Sequence, residues 1–311
     1  MRSTGIRHLE NGSCVLENSL LRVTLHPWLG GKITNITEKS SGFQPVFQSG
    51  TQLCRAQLFD AFEAYDTSGI DDAFPTVIEE SVPWQGRLLH LPDHGEIWSS
   101  NLECRVQDET VSMDMDSKIQ PVHYQKIVGL EENAVRITYR IHNMGEESCP
   151  CLWTFHGLFA YHPDMQILLP PEIQSVRHVT DSEYFGGTGK LYSFPKAEMP
   201  DGSIWDFHRV LTPEISPSVK FWFEGKILRG NCGFQYPHLG RQVQIEYDSQ
   251  KLPYLGLWIA AGGFKGEYNC ALEPSNGYYD SVTQALSNHK CPVLAPGESL
   301  DFTIRIRILP Y

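Results

Sequence analysis

The sequence predicts an all-β protein built as one large antiparallel β-sandwich, with few and short helices. Short runs of alternating apolar and polar residues recur along the chain, clusters of turn residues separate them, and helical periodicity is scarce. Strict alternation buries one face of a strand and leaves the other in water, which is typical of antiparallel sheets packed face to face. Because no regular alternation of strands with long helices is visible, the pattern argues against a parallel α/β fold.

Six segments carry the strand pattern. In chain order they are residues 20–25 (LLRVTL), 32–37 (KITNIT), 134–142 (AVRITYRIH), 219–223 (VKFWF), 243–247 (VQIEY) and 302–308 (FTIRIRI). Turn clusters lie between them, such as residues 27–31 (PWLGG), 143–145 (NMG) and 296–297 (PG). Residues 281–288 (SVTQALSN) have the pattern of a short helix. No linker-like composition divides the chain, so we expect a single domain over residues 1–311.

Composition narrows the class of partner. The formal net charge is −12, with 37 Asp and Glu against 25 Lys and Arg, and no basic run is present. Such a surface repels nucleic acid and anionic membranes, so neither is an expected partner. The sequence has no uninterrupted stretch of about 18 apolar residues, so we expect no membrane span. The N-terminal residues lack the apolar core of a signal peptide, and the eight scattered cysteines are typical of reduced thiols, so we expect a cytoplasmic protein.

Three segments combine titratable groups with apolar surroundings. His94 lies in a turn-like stretch (residues 91–98, LPDHGEIW), His156 interrupts an apolar run (residues 153–159, WTFHGLF), and Glu273 precedes a proline (residues 269–277, NCALEPSNG). Burial raises the pKa of a carboxylate and lowers that of a histidine, which suits acid–base chemistry near neutral pH. The ordinary alternatives are hydrogen-bonded core histidines and a solvated glutamate at a strand end.

Other features indicate a ligand more weakly. Trp98 and several other tryptophans adjoin polar or turn residues, where an aromatic ring either packs in the core or stacks against the apolar face of a sugar. No G-x-S-x-G, H-E-x-x-H or phosphate-loop motif is present. The spacing of His156 and His162 is the only pattern that suggests metal ligands on one strand, and we expect no metal site.

The three segments, in their order and spacing, resemble the galactose mutarotase-like superfamily, which includes the aldose 1-epimerases. His94 resembles the first active-site histidine of that superfamily, His156 the second, and Glu273 the late glutamate. Two turns add to the resemblance: residues 28–33 (WLGGKI) and 294–298 (LAPGE). The similarity spans most of the chain, and five weak motifs in the right order are together fairly specific.

The resemblance implies a β-sandwich isomerase that interconverts the α and β anomers of an aldose without a cofactor or metal. Glu273 would take the proton from the C1 hydroxyl, protonated His156 would donate to the ring oxygen, and His94 would hold the sugar. The partner would be a small sugar, and the protein would be a monomer or homodimer.

The sequence departs from the family where the sugar hydroxyls bind. Residues 69–76 (GIDDAFPT) lack the arginine expected before the first histidine, so Asp71 and Asp72 are the candidates to replace it. Asp206 and Lys220 are candidates for the position of the hydroxyl-binding aspartate. The sequence therefore does not identify the sugar.

Two alternatives remain open at this point. A hexose-phosphate 1-epimerase of the same fold would need paired arginines to bind phosphate, and only Arg55 and Arg87 flank the first motif region. A non-catalytic carbohydrate-binding sandwich would need aromatic platforms but no buried Glu and His pair. If Glu273 and His156 were far apart, the non-catalytic interpretation would be favoured.

Overall fold

Two facing antiparallel sheets form the body of the protein in the computed structural model, which describes residues 4–180, 185–210 and 218–311. The strands are β1 (Gly5–His8), β2 (Cys14–Glu17), β3 (Leu21–His26), β4 (Lys32–Glu38), β5 (Ile70–Ala73), β6 (Glu80–Trp84), β7 (Arg87–Leu91), β8 (Glu103–Gln107), β9 (Thr110–Asp116), β10 (Val122–Glu131), β11 (Ala134–Asn143), β12 (Cys149–Pro150), β13 (Thr154–Ala160), β14 (Gln166–Leu168), β15 (Ser175–His178), β16 (Leu191–Ser193), β17 (Lys196–Glu198), β18 (Ile204–Asp206), β19 (Ser218–Phe223), β20 (Asn231–Tyr236), β21 (Arg241–Tyr247), β22 (Tyr254–Ala261), β23 (Tyr268–Ser275), β24 (Val293–Leu294) and β25 (Ser299–Pro310).

An 11-stranded sheet has the order β1-β2-β3-β4-β5-β13-β23-β22-β19-β15-β16, and an 8-stranded sheet has the order β14-β20-β21-β25-β11-β10-β9-β8. In the described part of the chain, β6-β7, β12-β24 and β17-β18 form three further two-stranded ribbons. The predicted all-β sandwich is confirmed, and each of the six predicted strand segments lies within or overlaps a strand.

Helical structure is confined to short pieces among the described residues. α1 (Val282–Ser287) begins at Ser281, whose side chain accepts a hydrogen bond from the backbone N–H of Gln284 and so caps the helix. This helix confirms the one predicted from the sequence. The described ranges also contain the single-turn 3₁₀ segments Pro27–Leu29, Phe62–Ala64 and Pro237–Leu239. No helix in the described ranges is both long and apolar enough to cross a membrane.

The main core lies between the two sheets and follows from the alternation. In β25, Ile304, Ile306 and Ile308 point inward while the residues between them are half-buried. Strands β13 and β23 differ because almost every residue in them is buried. One face of these strands packs against the 8-stranded sheet, and the other is covered by side chains from the connections around them. Polar residues on that second face are therefore removed from water.

Candidate active site

His156 and Glu273 lie side by side on adjacent strands of the 11-stranded sheet. The Cα pairs Thr154–Ser275 and Leu158–Ala271 flank them symmetrically in the antiparallel pairing of β13 with β23. Their neighbours Phe155 and Leu272 belong to the core between the sheets. Since successive side chains point to opposite faces of a strand, His156 and Glu273 share the outer face of the sheet. Both are buried there, with 8% and 1% of their surface exposed.

His94 reaches the same place from a tight turn. Its φ angle is +55°, and Gly95 follows with φ of +73°. A Cβ at Gly95 would lie 2.0 Å from the carbonyl oxygen of Phe74, so only glycine allows the turn to pack this closely against the backbone. The Asp-His-Gly sequence therefore fixes the backbone of His94 next to Phe74, the residue that follows β5 and bridges to Gly95.

Contacts with three side chains orient the His94 ring. It stacks on Phe62, with centroids 4.3 Å apart, and meets the His156 ring edge-on at 4.8 Å. The Nδ1–H of His94 donates to Asp93 Oδ1 at 2.7 Å. No described residue forms a hydrogen bond with His94 Nε2, so that nitrogen is the one available to a ligand in the space that both histidines line.

Lys220 on β19 places a positive charge beside Glu273. Its Nζ lies 2.8 Å from Glu273 Oε2 and 2.8 Å from Asp280 Oδ1, and its side chain is only 9% exposed. The contact with Glu273 is close enough for an ion pair but lacks hydrogen-bond geometry, so Oε2 has no hydrogen-bond partner among the described residues. The three charged groups leave one net negative charge in the site when all are ionised.

Gly256 makes the contact between Glu273 and Lys220 possible. It lies on β22, between β23 and β19, directly opposite Glu273 in one pairing and opposite Trp222 in the other. A Cβ added to Gly256 would lie 2.9 Å from Glu273 Oε2. The missing side chain thus provides the space through which the carboxylate crosses β22 toward Lys220.

These groups line a cavity of about 230 Å³ on the outer face of the sheet. Its lining residues are Phe62, Thr67, Val77, Ile78, Asp93, His94, His156, Leu158, Val179, Thr180, Lys220, Trp258, Phe264, Asn269, Glu273 and Asp280. Lys220 is the only Lys or Arg in this lining as the described residues define it. A cavity with apolar walls and a few convergent polar groups is typical of a small-molecule site.

One polar wall is held by a chain of hydrogen bonds. The indole N–H of Trp258 donates to Asn269 Oδ1 at 2.9 Å, and Asn269 Nδ2 donates to Glu267 at 3.3 Å. Thr67 donates to both oxygens of the same Glu267 carboxylate. These bonds fix the orientation of the Asn269 amide and of the Trp258 ring at the cavity wall.

Burial shifts the pKa values of His156 and Glu273 in opposite directions, and each shift favours the neutral form of its group. Burial, together with the neighbouring His94 and the positive charge of Lys220, lowers the pKa of His156 well below its ordinary value, so His156 is neutral at neutral pH. This differs from the expectation of a protonated His156. Burial raises the pKa of Glu273, Lys220 opposes that rise, and Asp280 adds to it.

Asp71 lies beside the cavity but does not line it. It pairs in register with His156 and therefore shares its face of the sheet, where Lys32 Nζ lies 3.3 Å from its Oδ2. Lys32 also bonds Asp66 at 3.1 Å. Burial raises the pKa of Asp71 to about 6 despite the opposing charge of Lys32. Asp71 thus belongs to a buried charge cluster adjacent to the site.

The expectation that Asp72 faces the same cleft is wrong. As the next residue on β5, it points to the opposite face, where its carboxylate lies 2.5 Å from Lys126 Nζ inside the sandwich core. Neither side chain is exposed to solvent. The alternation of a strand explains the error, because two successive aspartates cannot line one face.

Trp98 and Asp206 also lie outside the cavity lining, contrary to expectation. Trp98 packs edge-on against Phe62 and donates its indole N–H to the carbonyl oxygen of Asp93, so it supports the wall from behind. Asp206 ends β18 in the β17-β18 ribbon and accepts the backbone N–H of His208. Of the substrate-binding candidates, Lys220 is the one in the cavity.

Three further residues contribute to the site and were not predicted from the sequence: Asp93, Asp280 and Gly256. Asp93 adjoins His94 in the sequence, and that adjacency was a usable signal for a His–carboxylate pair. Asp280 and Gly256 are distant from their partners in sequence and become neighbours only through strand pairing. No local pattern marks them.

One family model matches part of the sequence. The family model described as "Domain of unknown function (DUF4432)" matches residues 225–308. This segment includes Gly256, Glu273 and Asp280. No curated protein matches the chain.

Solved structures show the fold clearly. The Slr1438 protein from Synechocystis superimposes with a TM-score of 0.74 at 19% identity, covering 98% of this chain and 97% of its own. A galactose mutarotase-like protein from Lactobacillus casei gives 0.71 at 16% identity, over 96% and 100% of the two chains. One from Clostridium acetobutylicum gives 0.71 at 14% identity, over 100% and 99%. The chain therefore has the galactose mutarotase-like fold.

Proposed function

We propose that this protein is an aldose 1-epimerase, an isomerase that interconverts the α and β anomers of an uncharged monosaccharide. The observation that carries the proposal is the convergence of Glu273, His156 and His94 on one small cavity. Its volume of about 230 Å³ is below the roughly 300–1,000 Å³ of sites for larger ligands, which favours a single sugar ring. The galactose mutarotase-like fold supports the same reaction class.

Ring opening needs a base at the anomeric hydroxyl and an acid at the ring oxygen. In the proposed reaction, the Glu273 carboxylate takes the proton from the C1 hydroxyl while a histidine gives one to the ring oxygen, and the C1–O5 bond breaks. Rotation about C1–C2 and closure in the reverse sense give the other anomer. Each proton returns to the group that supplied it, so the enzyme is unchanged.

The surroundings favour His94 as the proton donor. The Nδ1–H of His94 donates to the Asp93 carboxylate, which leaves Nε2 as the reactive nitrogen. Carboxylates orient the catalytic histidines of other enzymes in the same way. His156 is neutral and buried, so it suits a hydrogen-bond donor to the sugar better than an acid. Lys220 favours the carboxylate form of Glu273 by opposing the burial that raises its pKa.

The cavity favours an uncharged sugar over a sugar phosphate. A phosphate group requires free cationic donors, preferably paired arginines. Lys220 is the sole basic side chain in the described lining apart from the histidines, and two carboxylates already hold it. A third negative group beside Glu273 and Asp280 would be repelled.

NMR saturation exchange between anomers tests the proposal directly, using a panel of neutral aldoses, uronates and sugar phosphates. We expect accelerated exchange for at least one neutral aldose and none for the phosphates. Glu273→Gln keeps the shape of the side chain but cannot accept the proton, so exchange should fall by about 10²–10⁴-fold with little change in sugar affinity. Glu79→Gln, the same change at an exposed neighbour of the cavity, should leave the rate unchanged.

Melting temperature measured on the same preparations separates catalysis from folding. A fully active Glu273→Gln variant would remove Glu273 from the mechanism. Binding of sugars without accelerated exchange by the unmodified protein would favour the carbohydrate-binding interpretation instead.

A further inference from the structure

Two cysteines on opposite sheets lie close to each other at one side of the sandwich, away from the cavity. The Sγ atoms of Cys14 and Cys104 are 3.8 Å apart. Cys14 lies on β2 of the 11-stranded sheet and is fully buried. Cys104 lies on β8, the last strand of the 8-stranded sheet, and is half-buried. The pair therefore spans the two layers where the 8-stranded sheet ends.

We propose that Cys14 and Cys104 are an oxidative modification site that forms an intramolecular disulfide when the protein meets a small-molecule disulfide. Both thiols are free in the structure. A disulfide requires an S–S distance of about 2.05 Å, so the two sulfurs must approach by a little under 2 Å. The approach requires rotation of the two side chains, and β8 is the edge strand of its sheet, where the backbone is held by one neighbouring strand only.

The surroundings give each thiol a distinct part in the exchange. Cys104 is the more accessible thiol, and the hydrogen bond from Cys14 lowers its pKa, so its thiolate is the entering nucleophile. The same contact and burial raise the pKa of Cys14. His8 Nδ1 lies 3.4 Å from Cys14 Sγ, where it can accept the Cys14 proton.

The reaction balances with one disulfide as oxidant. The Cys104 thiolate attacks one sulfur of glutathione disulfide, whose S–S bond breaks, and one glutathione leaves and takes up a proton. Cys14 then passes its proton to His8 and attacks Cys104 Sγ, the mixed Cys104–glutathione S–S bond breaks, and the second glutathione leaves as a thiolate and takes that proton from His8. Two protein thiols are oxidised, and one glutathione disulfide is reduced to two thiols.

The cross-link would act on stability because it joins residues 90 positions apart and ties the two sheets together. Closing so long a loop in the unfolded chain removes much of its conformational entropy. For a protein of this size we expect the disulfide to raise Tm by about 5–10 °C, reversibly on reduction.

The experiment oxidises the native, full-length protein with glutathione disulfide, blocks the remaining thiols by alkylation and maps the peptides by mass spectrometry. We expect a Cys14–Cys104 linked peptide and the rise in Tm, both abolished by dithiothreitol. Cys104→Ser, at the half-buried position, should fold and lose both signals. Cys54→Ser, at an exposed thiol, should keep both.

Two results would overturn the inference. One is stable glutathionylation of Cys104 with no linked peptide, which would show that Cys14 does not reach it. The other is a linked peptide that appears only after the protein has been unfolded, which would show that the native fold holds the sulfurs apart.

Discussion

The residue that determines the chemistry of the site is Glu273, because its surroundings act on it in opposite directions. Burial favours its protonated form, and the ammonium group of Lys220 favours the carboxylate. Lys220 in turn is held by Asp280, and the two carboxylates raise the pKa of Lys220 although burial alone would lower it. Lys220 thus favours the ionised form of Glu273, while Glu273, Lys220 and Asp280 together carry one net negative charge when all three are ionised.

The sequence pattern predicted that Glu273, His156 and His94 meet in one site, because each of them breaks or bounds an apolar stretch. It failed where one strand carries two adjacent candidates. Asp71 and Asp72 have the same composition around them, and only the register of β5 against β13 decides which face each one occupies. The register of β5 against β13 cannot be predicted from composition or from local spacing.

A second buried histidine gives a pH prediction at the same scale. His26 bonds Ser13 through Nδ1 at 2.7 Å and Thr34 through Nε2 at 2.8 Å. Burial, with the charge of Lys32, lowers its pKa to about 4. Between pH 6.5 and 4 the unfolded chain therefore binds a proton at His26 that the folded protein does not, so stability falls as the pH falls through this window.

His26→Gln removes this proton uptake. The variant starts from a lower free energy of unfolding. Between pH 7 and 4.5, however, its free energy of unfolding should fall by about 2 kcal/mol less than that of the unmodified protein. Urea unfolding at a series of pH values measures the difference, and His90→Gln at an exposed position is the control. Parallel pH curves for the unmodified protein and His26→Gln would contradict the assignment.

At the scale of elements, the site depends on neighbouring strands rather than on loops alone. β13, β23, β22 and β19 are consecutive in the 11-stranded sheet. They carry His156, Glu273, Gly256 and Lys220 respectively. Of these four strands, period-two alternation predicted only β19, and it predicted that the outer face of the sheet would be wet. The connections that bury that face come from distant parts of the sequence, such as residues 62–94, and no local pattern indicates where they fold.

Gly256 allows a test of this arrangement. In Gly256→Ala the new Cβ would lie 2.9 Å from Glu273 Oε2, the end of a flexible side chain, and 3.3 Å from Glu273 Cβ, so the carboxylate must move while its Cβ shifts by a few tenths of an ångström at most. We expect anomer exchange to fall at least about tenfold, because a small misplacement of a reacting group is costly, while Tm changes little. Gly187→Ala, where an added Cβ meets nothing within 4 Å, is the matched control. Undiminished exchange in Gly256→Ala would show that the space beside Glu273 is not needed.

For the whole molecule, alternation identified a two-layer β-sandwich but not the order of its strands. β5 pairs with β13, and β11 pairs with β25, across long stretches of sequence. Such pairings follow from the packing of the complete chain. The buried ion pair that joins the layers has the same origin: Asp72 on β5 meets Lys126 on β10 of the opposite sheet.

That cross-layer pair supplies the last prediction. Asp72 and Lys126 are both fully buried among Tyr124, Tyr139 and Trp153, so removing one partner leaves the other charge unpaired in the core. Lys126→Met should lower the free energy of unfolding by about 3–5 kcal/mol. Adding Asp72→Asn to this variant should recover part of the loss, since the remaining group is then uncharged. Arg140→Met, which breaks the exposed pair with Asp301, should have little effect. Because Asp72 points away from the cavity, folded Lys126→Met should retain anomer exchange. Urea unfolding of these three variants and of Asp72→Asn alone, with the exchange rate of each, would show whether stability and catalysis separate across the β5 strand. A double variant whose loss equals the sum of the two single losses would indicate that the pair is not coupled.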